Sequence, residues 1–345
     1  MAATRKDVAR MAGVSVATVS YVINNTRHVT PEVRERVLNA VKVLNYHPNL
    51  LAKSLSTKKT RHVAMLIDNI QNPHYGRIMR GVQHVAEEEG YIVSVLSTNY
   101  STKESMLELV SRGVDGVILA LGFYQNQDFI TGLDVPIVHE DETLRTDYRQ
   151  AIFDIVETLK NLGHRRIGFL SGLSAASESI RCQDFLAALK HYDLEFNKEI
   201  FIEGNGYTDE KAGYDAAERL LDTGESFTAV FALNDLMALG AMRKLSEAGL
   251  HIPHDVSIVG CDGIKSSAYT VPSLSTIQCH AFHLGEALMY KLISKIQPEK
   301  EIPIPDQVIQ AEFIRRESIG PVPVIQPAQD FLLPSREGRI RSRLP

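Results

Sequence analysis

From His62 onward the sequence alternates short apolar runs with longer amphipathic patterns, and this alternation restricts the fold more than any other feature. The apolar runs have the length and composition of buried strands: "HVAMLID", "IVSVLST", "GVILAL", "PIVHE", "RIGFLSG", "IFIEG", "AVFAL" and "VSIVGCD". Strands that alternate with helices predict parallel sheets covered on both faces. About eight or nine strands over about 250 residues suit an α/β core of two doubly wound parallel-sheet subdomains better than a single sheet.

Positive charge is concentrated at the amino terminus. Residues 1–61 contain eleven Lys and Arg against three Asp and Glu, an excess of eight positive charges, although the whole chain has a net charge of -5. A basic segment on an acidic body predicts a polyanionic partner for that segment alone. A solvated basic surface is the alternative if the segment has no recognisable docking shape.

The basic segment contains three short helical patterns. Thr4 is a candidate N-cap of the first, Gly13 allows the chain to turn, and Ser15 can cap the second. A third helix is predicted from Pro31, with Thr30 as its cap. This order is typical of a helix-turn-helix module, whose second helix enters the major groove of DNA. A three-helix protein-interaction module would use the same apolar spacing.

The second helix is predicted to present a small, uncharged and hydroxyl-rich outer face. Its apolar residues Val19, Val22 and Ile23 recur at three- and four-residue spacing and should face the first helix. The residues left facing outward are Val16, Ala17, Thr18, Ser20, Tyr21 and Asn24. The hydroxyl and amide groups among them suit contacts to phosphates.

Polar side chains gather at the predicted strand ends of the body, where ligands bind in doubly wound folds. Residues just past a strand are Asp68, Asn72, Glu140, Asn234 and Asp262, and Arg181 comes shortly after "FLSG". Converging carboxylates and amides suit a hydroxylated small molecule. For any single one of these residues a helix cap is the alternative, as for Asp235, which could cap "LMALGAM".

The segment "DVARMAGVSVATVSYVINNTRHVTPEVRERVLNAVKVLNYHPNLLAKSLSTKKT" resembles the DNA-binding head of the LacI/GalR family of bacterial transcription regulators along its whole length. The resemblance implies a helix-turn-helix domain at 1–47. It also implies that Val16, Ala17 and Tyr21 read bases. Family members often carry polar or basic residues at these positions. This chain would instead use thymine methyl groups and the Tyr21 hydroxyl.

The same resemblance implies a hinge helix and linker at 48–60. This helix would fold only on DNA, paired with its twin. Leu55 would enter the minor groove with Ala52 and Lys53 beside it, and a simple polar linker is the alternative. The complete predicted set of DNA contacts is Thr4, Ser15, Val16, Ala17, Thr18, Ser20, Tyr21, Asn24, Ala52, Lys53 and Leu55.

The resemblance extends through the body to about residue 320, carried by "LKNLGHRRIGFLSG" and "NDLMALGAMRKLSEAGLHIPHDVSIVGCDG". It implies a core like that of periplasmic binding proteins, with an effector site between two subdomains. The first subdomain is predicted at 61–146 and 279–306, and the second at 147–278 and 307–320. The predicted effector-binding residues are Asp68, Asn72, His74, Tyr75, Glu140, Arg181, Asn234 and Asp262.

The chain departs from the family pattern in two places that concern the ligand. The aromatic residue that often stacks on the ligand is displaced in "EGNGYT", which leaves only Tyr207 as a candidate. The usual glutamine after "TI" arrives one residue early, as Gln278, and Cys279 follows it. Residues 321–345 hold five prolines and four arginines and are predicted to be a disordered tail. They contain no leucine heptads, so a homodimer is expected.

Several function classes are disfavoured. No nucleotide-binding loop, dinucleotide-binding motif, nucleophile elbow or HExxH motif occurs, so no enzyme is expected. The three cysteines, Cys182, Cys261 and Cys279, have no metal-ligand spacing and are expected to be reduced and buried, with no metal or cofactor. No long apolar window or secretory h-region is present, which predicts a cytoplasmic protein without a membrane segment.

These observations predict a transcription regulator, most simply a repressor, that binds double-stranded operator DNA as a homodimer. A small-molecule effector in the core would control its DNA affinity. A sugar or sugar derivative is favoured as that effector, and a purine or a partner protein is the alternative. A sugar-binding receptor without a DNA role is a remote alternative, which the basic head disfavours.

Overall fold

The chain divides after Arg61 into two compact units, a small helical head and a larger α/β body. The computed structural model describes residues 3–46, 59–97, 103–121, 132–174, 179–302 and 308–322. The predicted hinge contacts Ala52, Lys53 and Leu55 lie outside the described residues. Within these ranges, no helix has both the length and the apolar character needed to cross a membrane.

The head consists of three helices with well-defined caps: α1 (Arg5–Ala12), α2 (Val16–Asn24) and α3 (Pro31–Val43). Thr4 and Asp7 form a reciprocal capping box at the start of α1. Ser15 accepts a hydrogen bond from the Thr18 N–H at the start of α2. Gly13 ends α1 with a φ of +62°, a left-handed conformation that glycine adopts at little cost. The predicted caps of α1 and α2 and the turn between them are confirmed.

The head buries one apolar stripe from each helix. Val8, Val19 and Val37 are fully buried and form the centre of its core. Val41 and Leu44, both half-buried, pack against this core from α3 and the residue after it. The chain turns directly after α3, and Tyr46, at 7% exposure, also joins the core.

The first sheet of the body has four parallel strands in the order β2-β1-β3-β4. Its strands are β1 (His62–Ile67), β2 (Ile92–Ser97), β3 (Gly116–Ala120) and β4 (Ile137–His139), and its helices are α4 (Pro73–Glu88), α5 (Lys103–Ser111) and α10 (Ala281–Ile296). Helices α4 and α10 cross at Gly81 and Gly285. A Cβ atom on either glycine would overlap backbone atoms of the other helix. The crossing therefore requires glycine at both positions.

The second sheet has six strands in the order β12-β10-β9-β8-β6-β7. Its strands are β6 (Ile167–Leu170), β7 (Phe201–Ile202), β8 (Ala229–Ala232), β9 (Ser257–Asp262), β10 (Ser275–Gln278) and β12 (Glu312–Ile314), and its helices are α6 (Arg149–Asn161), α7 (Ile180–His191), α8 (Glu210–Asp222) and α9 (Asp235–Glu247). Only β12 runs antiparallel to its neighbour. The rings of Phe169, Phe185 and Phe231 pack together in the core.

Three connections join the two sheets. Two of them contain β5 (Arg145–Asp147) and β11 (Val308–Gln310), which pair as a parallel ribbon, and the third leads from β10 to α10. Two doubly wound sheets were predicted and are confirmed, whereas eight or nine strands were too few. The predicted tail also began too early, because the Val322 N–H still donates to the Leu162 carbonyl at 3.0 Å.

Candidate functional site

A cavity of about 760 Å³ opens between the two sheets of the body. Its walls come from the carboxyl ends of β3, β4, β8 and β9 and from the first turns of α4 and α7. Predicted effector residues that line it are Asn72, His74, Tyr75, Glu140, Arg181, Asn234 and Asp262. The volume suits a small-molecule ligand. Of the residues predicted at strand ends, all but Asp68 line this cavity.

Asp262, the last residue of β9, meets polar groups from both sheets. Its Oδ1 lies 3.1 Å from Arg181 Nη2 and 3.8 Å from His74 Nδ1. Its Oδ2 accepts a hydrogen bond from Asn72 Nδ2 at 3.3 Å. The φ of Asp262 is +116°, which L-residues rarely adopt. Such backbone strain is concentrated at ligand-binding and catalytic sites.

Arg181, in the first turn of α7, is buried at the centre of this cluster. Its guanidinium donates to the Leu233 carbonyl and to the Tyr148 hydroxyl, each at 2.9 Å. The guanidinium carbon also lies 4.4 Å from the centre of the Tyr148 ring. These contacts fix the charged end of Arg181 beside Asp262, so the site is preorganised for a polar ligand.

Three buried side-chain atoms within the described residues have no hydrogen-bond partner: His74 Nδ1, Ser179 Oγ and Asp262 Oδ1. The approach of Arg181 to Asp262 Oδ1 is an ion pair without hydrogen-bond alignment. All three residues line the cavity. Because a buried polar atom without a partner is unfavourable, a polar ligand that pairs with these atoms would gain binding free energy.

Burial also changes the protonation of two groups in the cavity. It lowers the pKa of His74, against the opposite effect of the Asp262 charge, so the ring is neutral near pH 7. Burial raises the pKa of Glu140, although the Thr146 N–H donates to its Oε1 at 2.9 Å and favours the charged form. The cavity thus offers a neutral imidazole and a carboxyl group with increased proton affinity.

Asp68 does not line the cavity. Its Oδ2 accepts a hydrogen bond from the Tyr75 hydroxyl at 2.8 Å. Tyr75 is the residue of this pair that lines the cavity, and the effector contact predicted for Asp68 stays a prediction.

The helix-cap alternative applies to Asn234 and not to Asp235. Asn234 is the N-cap of α9, accepting from the Met237 N–H and donating to the Thr208 carbonyl, each at 2.8 Å. Asp235 is fully buried and accepts from the Ile264 N–H at 2.8 Å and from Thr276 Oγ1 at 2.5 Å. Asn234 lines the cavity while its Oδ1 and Nδ2 bond Met237 and Thr208, and its predicted effector contact stays a prediction.

The outer face of α2 is accessible, but several of its polar groups already bond locally. Val16 and Ala17 are exposed, whereas Thr18, Ser20 and Tyr21 are half-buried. Local hydrogen bonds join Ser15 Oγ to Thr18 Oγ1, Arg5 to Ser20 Oγ, and the Asn24 amide to the Ser20 carbonyl. The guanidinium carbon of Arg27 lies 5.0 Å from the centre of the Tyr21 ring. Positive charge therefore stands beside the face predicted to read DNA.

Both units match known protein families. Residues 4–49 match the model of bacterial regulatory proteins of the lacI family, and residues 156–319 match a periplasmic binding protein-like domain. The HTH-type transcriptional repressor PurR of Mannheimia succiniciproducens is 33% identical over 332 residues, which cover 92% of this chain and 98% of that protein. This chain belongs to the lacI family of bacterial regulatory proteins. It is a DNA-binding transcriptional regulator.

Solved structures of lacI-family regulators share the fold. The lac repressor dimer bound to operator and the anti-inducer ONPF aligns with a TM-score of 0.78 at 26% identity, over 93% of this chain and 100% of that one. The regulator CelR in complex with cellobiose aligns with a TM-score of 0.64 at 28% identity, over 92% and 99%. A regulator from Enterococcus faecium with bound ribose aligns with a TM-score of 0.64 at 29% identity, over 76% of this chain and 99% of that one.

The sequence analysis missed several cavity residues of this lacI-family chain. Arg145, Thr146 and Tyr148 belong to the short strand β5 and the turn after it, and Ser179 precedes α7. Strand β5, "RTD", contains no apolar run, so nothing marked this stretch as a strand end. Tyr207, considered as a stacking aromatic, is 58% exposed and does not line the cavity.

Proposed function

We propose that this lacI-family regulator is a dimeric repressor without catalytic activity, with the domain boundaries given above. Helix α2 would lie in the major groove of each operator half-site and read bases through Val16, Ala17 and Tyr21. The proposal is supported by the accessible face of α2 and the excess of eight positive charges in residues 1–61. The repressor relatives and the operator-bound lac repressor dimer agree with it.

DNA binding is tested by fluorescence anisotropy with operator-length duplexes selected from a random pool. We expect a preferred duplex whose log affinity falls linearly with log salt concentration, with a slope of about -0.9 per phosphate neutralised. Tyr21→Ala should weaken binding to the preferred duplex and leave the salt slope unchanged, because a base contact carries no counterion release. Equal affinity for all duplexes would contradict sequence-specific binding.

We further propose that the effector is a sugar or sugar derivative. The observation that carries this is the set of buried, unpaired atoms on His74, Ser179 and Asp262, facing one cavity with the Arg181 guanidinium. Hydroxyl groups can donate to and accept from such a set at once. The Arg181 guanidinium covers one face of the Tyr148 ring, which leaves His74 and Tyr75 as the other cavity rings on which a purine could stack. The cellobiose- and ribose-bound regulators of similar fold support the choice.

The effector class is tested by isothermal titration of the full-length protein, in EDTA, with ribose, cellobiose and hypoxanthine. A sugar should bind, and Asp262→Asn should weaken that binding about tenfold or more, because it removes a charged hydrogen-bond acceptor. The matched control is Asp215→Asn on α8, where the side chain is 47% exposed. If hypoxanthine binds and neither sugar does, the effector is a purine and not a sugar. The proposed role as a DNA-binding repressor is not affected by that result.

A further inference from the structure

Three buried side chains with different donor atoms lie close together, and two of them, His74 and Asp262, line the cavity. One donor atom each from His74, Asp262 and Cys279 lies within 4.8 Å of the other two. Their exposures are 7%, 2% and 0%. They come from the start of α4, the end of β9 and the connection after β10, so their spacing in the sequence shows no metal motif.

The geometry and chemistry of this trio match a soft divalent metal ion. His74 Nδ1 and Asp262 Oδ1, both without a hydrogen-bond partner among the described residues, lie 3.8 Å apart. Nitrogen and oxygen ligands of a tetrahedral Zn²⁺ are about 3.4 Å apart, so small side-chain rotations would suffice. Imidazole, carboxylate and thiolate are all established zinc ligands.

Local charge limits the affinity without excluding an ion. Arg181 pairs with Asp262 Oδ1, and Arg77 donates to the Gly263 carbonyl at 2.7 Å nearby. Both guanidinium groups repel a cation, whereas the Asp262 carboxylate and a Cys279 thiolate attract it. We therefore expect weaker binding than at a site built only of thiolates.

We propose that His74, Asp262 and Cys279 bind one thiophilic divalent ion, with Zn²⁺ as the best match. On binding, the Cys279 S–H bond breaks, the sulfur–metal bond forms, and the thiol proton leaves to solvent without any change in oxidation state. Three protein ligands would leave a fourth coordination position for water. Because His74 belongs to a helix of the first sheet and Asp262 to a strand of the second, the ion would tie the two sheets together. The same atoms of His74 and Asp262 support the effector proposal, so the ion and a sugar that contacts these atoms directly would compete for them.

The test is cobalt substitution in full-length protein that has been stripped of metal and contains no sugar. Co²⁺ bound to a thiolate gives a near-ultraviolet charge-transfer absorption that Zn²⁺ removes when it displaces Co²⁺. We expect one equivalent of Co²⁺ to produce this absorption, and Cys279→Ser and Cys279→Ala to abolish it. The matched control is Cys182→Ser, because Cys182 is also fully buried but lies in the core of the second sheet.

A second variant, which leaves Cys279 in place, tests the proposal if the Cys279 variants fold poorly. His74→Gln keeps the thiol and should weaken Zn²⁺ binding at least tenfold, read as a smaller Zn²⁺-induced rise in melting temperature. Absence of the absorption in the wild-type protein, its survival in the Cys279 variants, or an unchanged Zn²⁺ response in His74→Gln would overturn the proposal. Since sugar binding is measured in EDTA, failure here is distinct from failure of the effector assignment.

Discussion

At the scale of single residues, Arg181 and Asp262 place a pair of opposite buried charges in the cavity wall. Both are almost fully buried, and each compensates the charge of the other. A buried ion pair contributes no more stability than two well-packed apolar residues would, but a large loss follows when only one partner is removed. The pair is therefore better explained by ligand recognition than by stability.

Replacing Arg181 by Met should lower the free energy of unfolding by about 3–5 kcal/mol, because Asp262 is left buried without a cation. Adding Asp262→Asn should recover part of the loss. Urea denaturation of the full-length chain measures both effects. Arg243→Met is the control, because its ion pair with Glu247 is exposed and should contribute about 0–1 kcal/mol. Equal losses for Arg181→Met and Arg243→Met would show that the buried pair has no special role.

Thr4 was predicted to contact DNA, and the structure also makes it a helix cap. Thr4→Ala should destabilise α1 by about 1 kcal/mol, whereas Thr4→Ser should keep the cap. Hydrogen exchange of the α1 amides in the full-length protein measures the effect. If Thr4→Ser also accelerates exchange to the rate of Thr4→Ala, the hydroxyl does not act as the cap.

At the scale of elements, Asp235 joins the start of α9 to the segments after β9 and within β10. Burial, followed by the charge of Asp262, raises the pKa of Asp235 to about 8. The folded state thus favours the protonated carboxyl. This contribution to stability is complete below the ordinary pKa of 3.8 and is lost as the pH rises towards 8.

Asp235→Asn should therefore reduce the fall in unfolding free energy between about pH 5 and about pH 8 relative to the wild-type chain. The amide is of similar size and can keep an acceptor for one of the two hydrogen bonds. Denaturation at a series of pH values gives the slope, with the exposed Asp222→Asn on α8 as control. An identical slope in wild type and Asp235→Asn would show that Asp235 is ionised throughout this range.

At the scale of the whole molecule, the regular parts were predictable and the cross-connections were not. Long apolar runs predicted the parallel strands, and the polar residues that follow those runs predicted much of the cavity wall. Strand β5 has the sequence "RTD", which contains no apolar run, whereas the equally short β4 lies in the apolar run "PIVHE", so the cavity residues around Thr146 were missed. The grouping of His74, Asp262 and Cys279 depends on tertiary packing of segments far apart in sequence.

Effector and DNA binding should be reciprocally coupled in the full-length chain. A coupling free energy of about 1–3 kcal/mol corresponds to a change of about 5- to 150-fold in operator affinity. Anisotropy titrations with and without the sugar found by calorimetry measure one side, and calorimetry with and without operator measures the other. The two factors should be equal. If saturating sugar leaves the operator affinity unchanged, ligand binding in the cavity does not control DNA binding.

The ribbon formed by β5 and β11 places two of the three inter-sheet connections side by side. Thr146 at its middle lines the cavity and holds Glu140, and Ala311 just beyond it donates its N–H to the Asp147 carbonyl. Paired strands bend together far more easily than they slide past one another. We therefore expect the two sheets of the body, with their helices, to rotate relative to one another about the β5–β11 ribbon. The residence time of a captured solute would then depend on main-chain bending as well as on the groups that touch it.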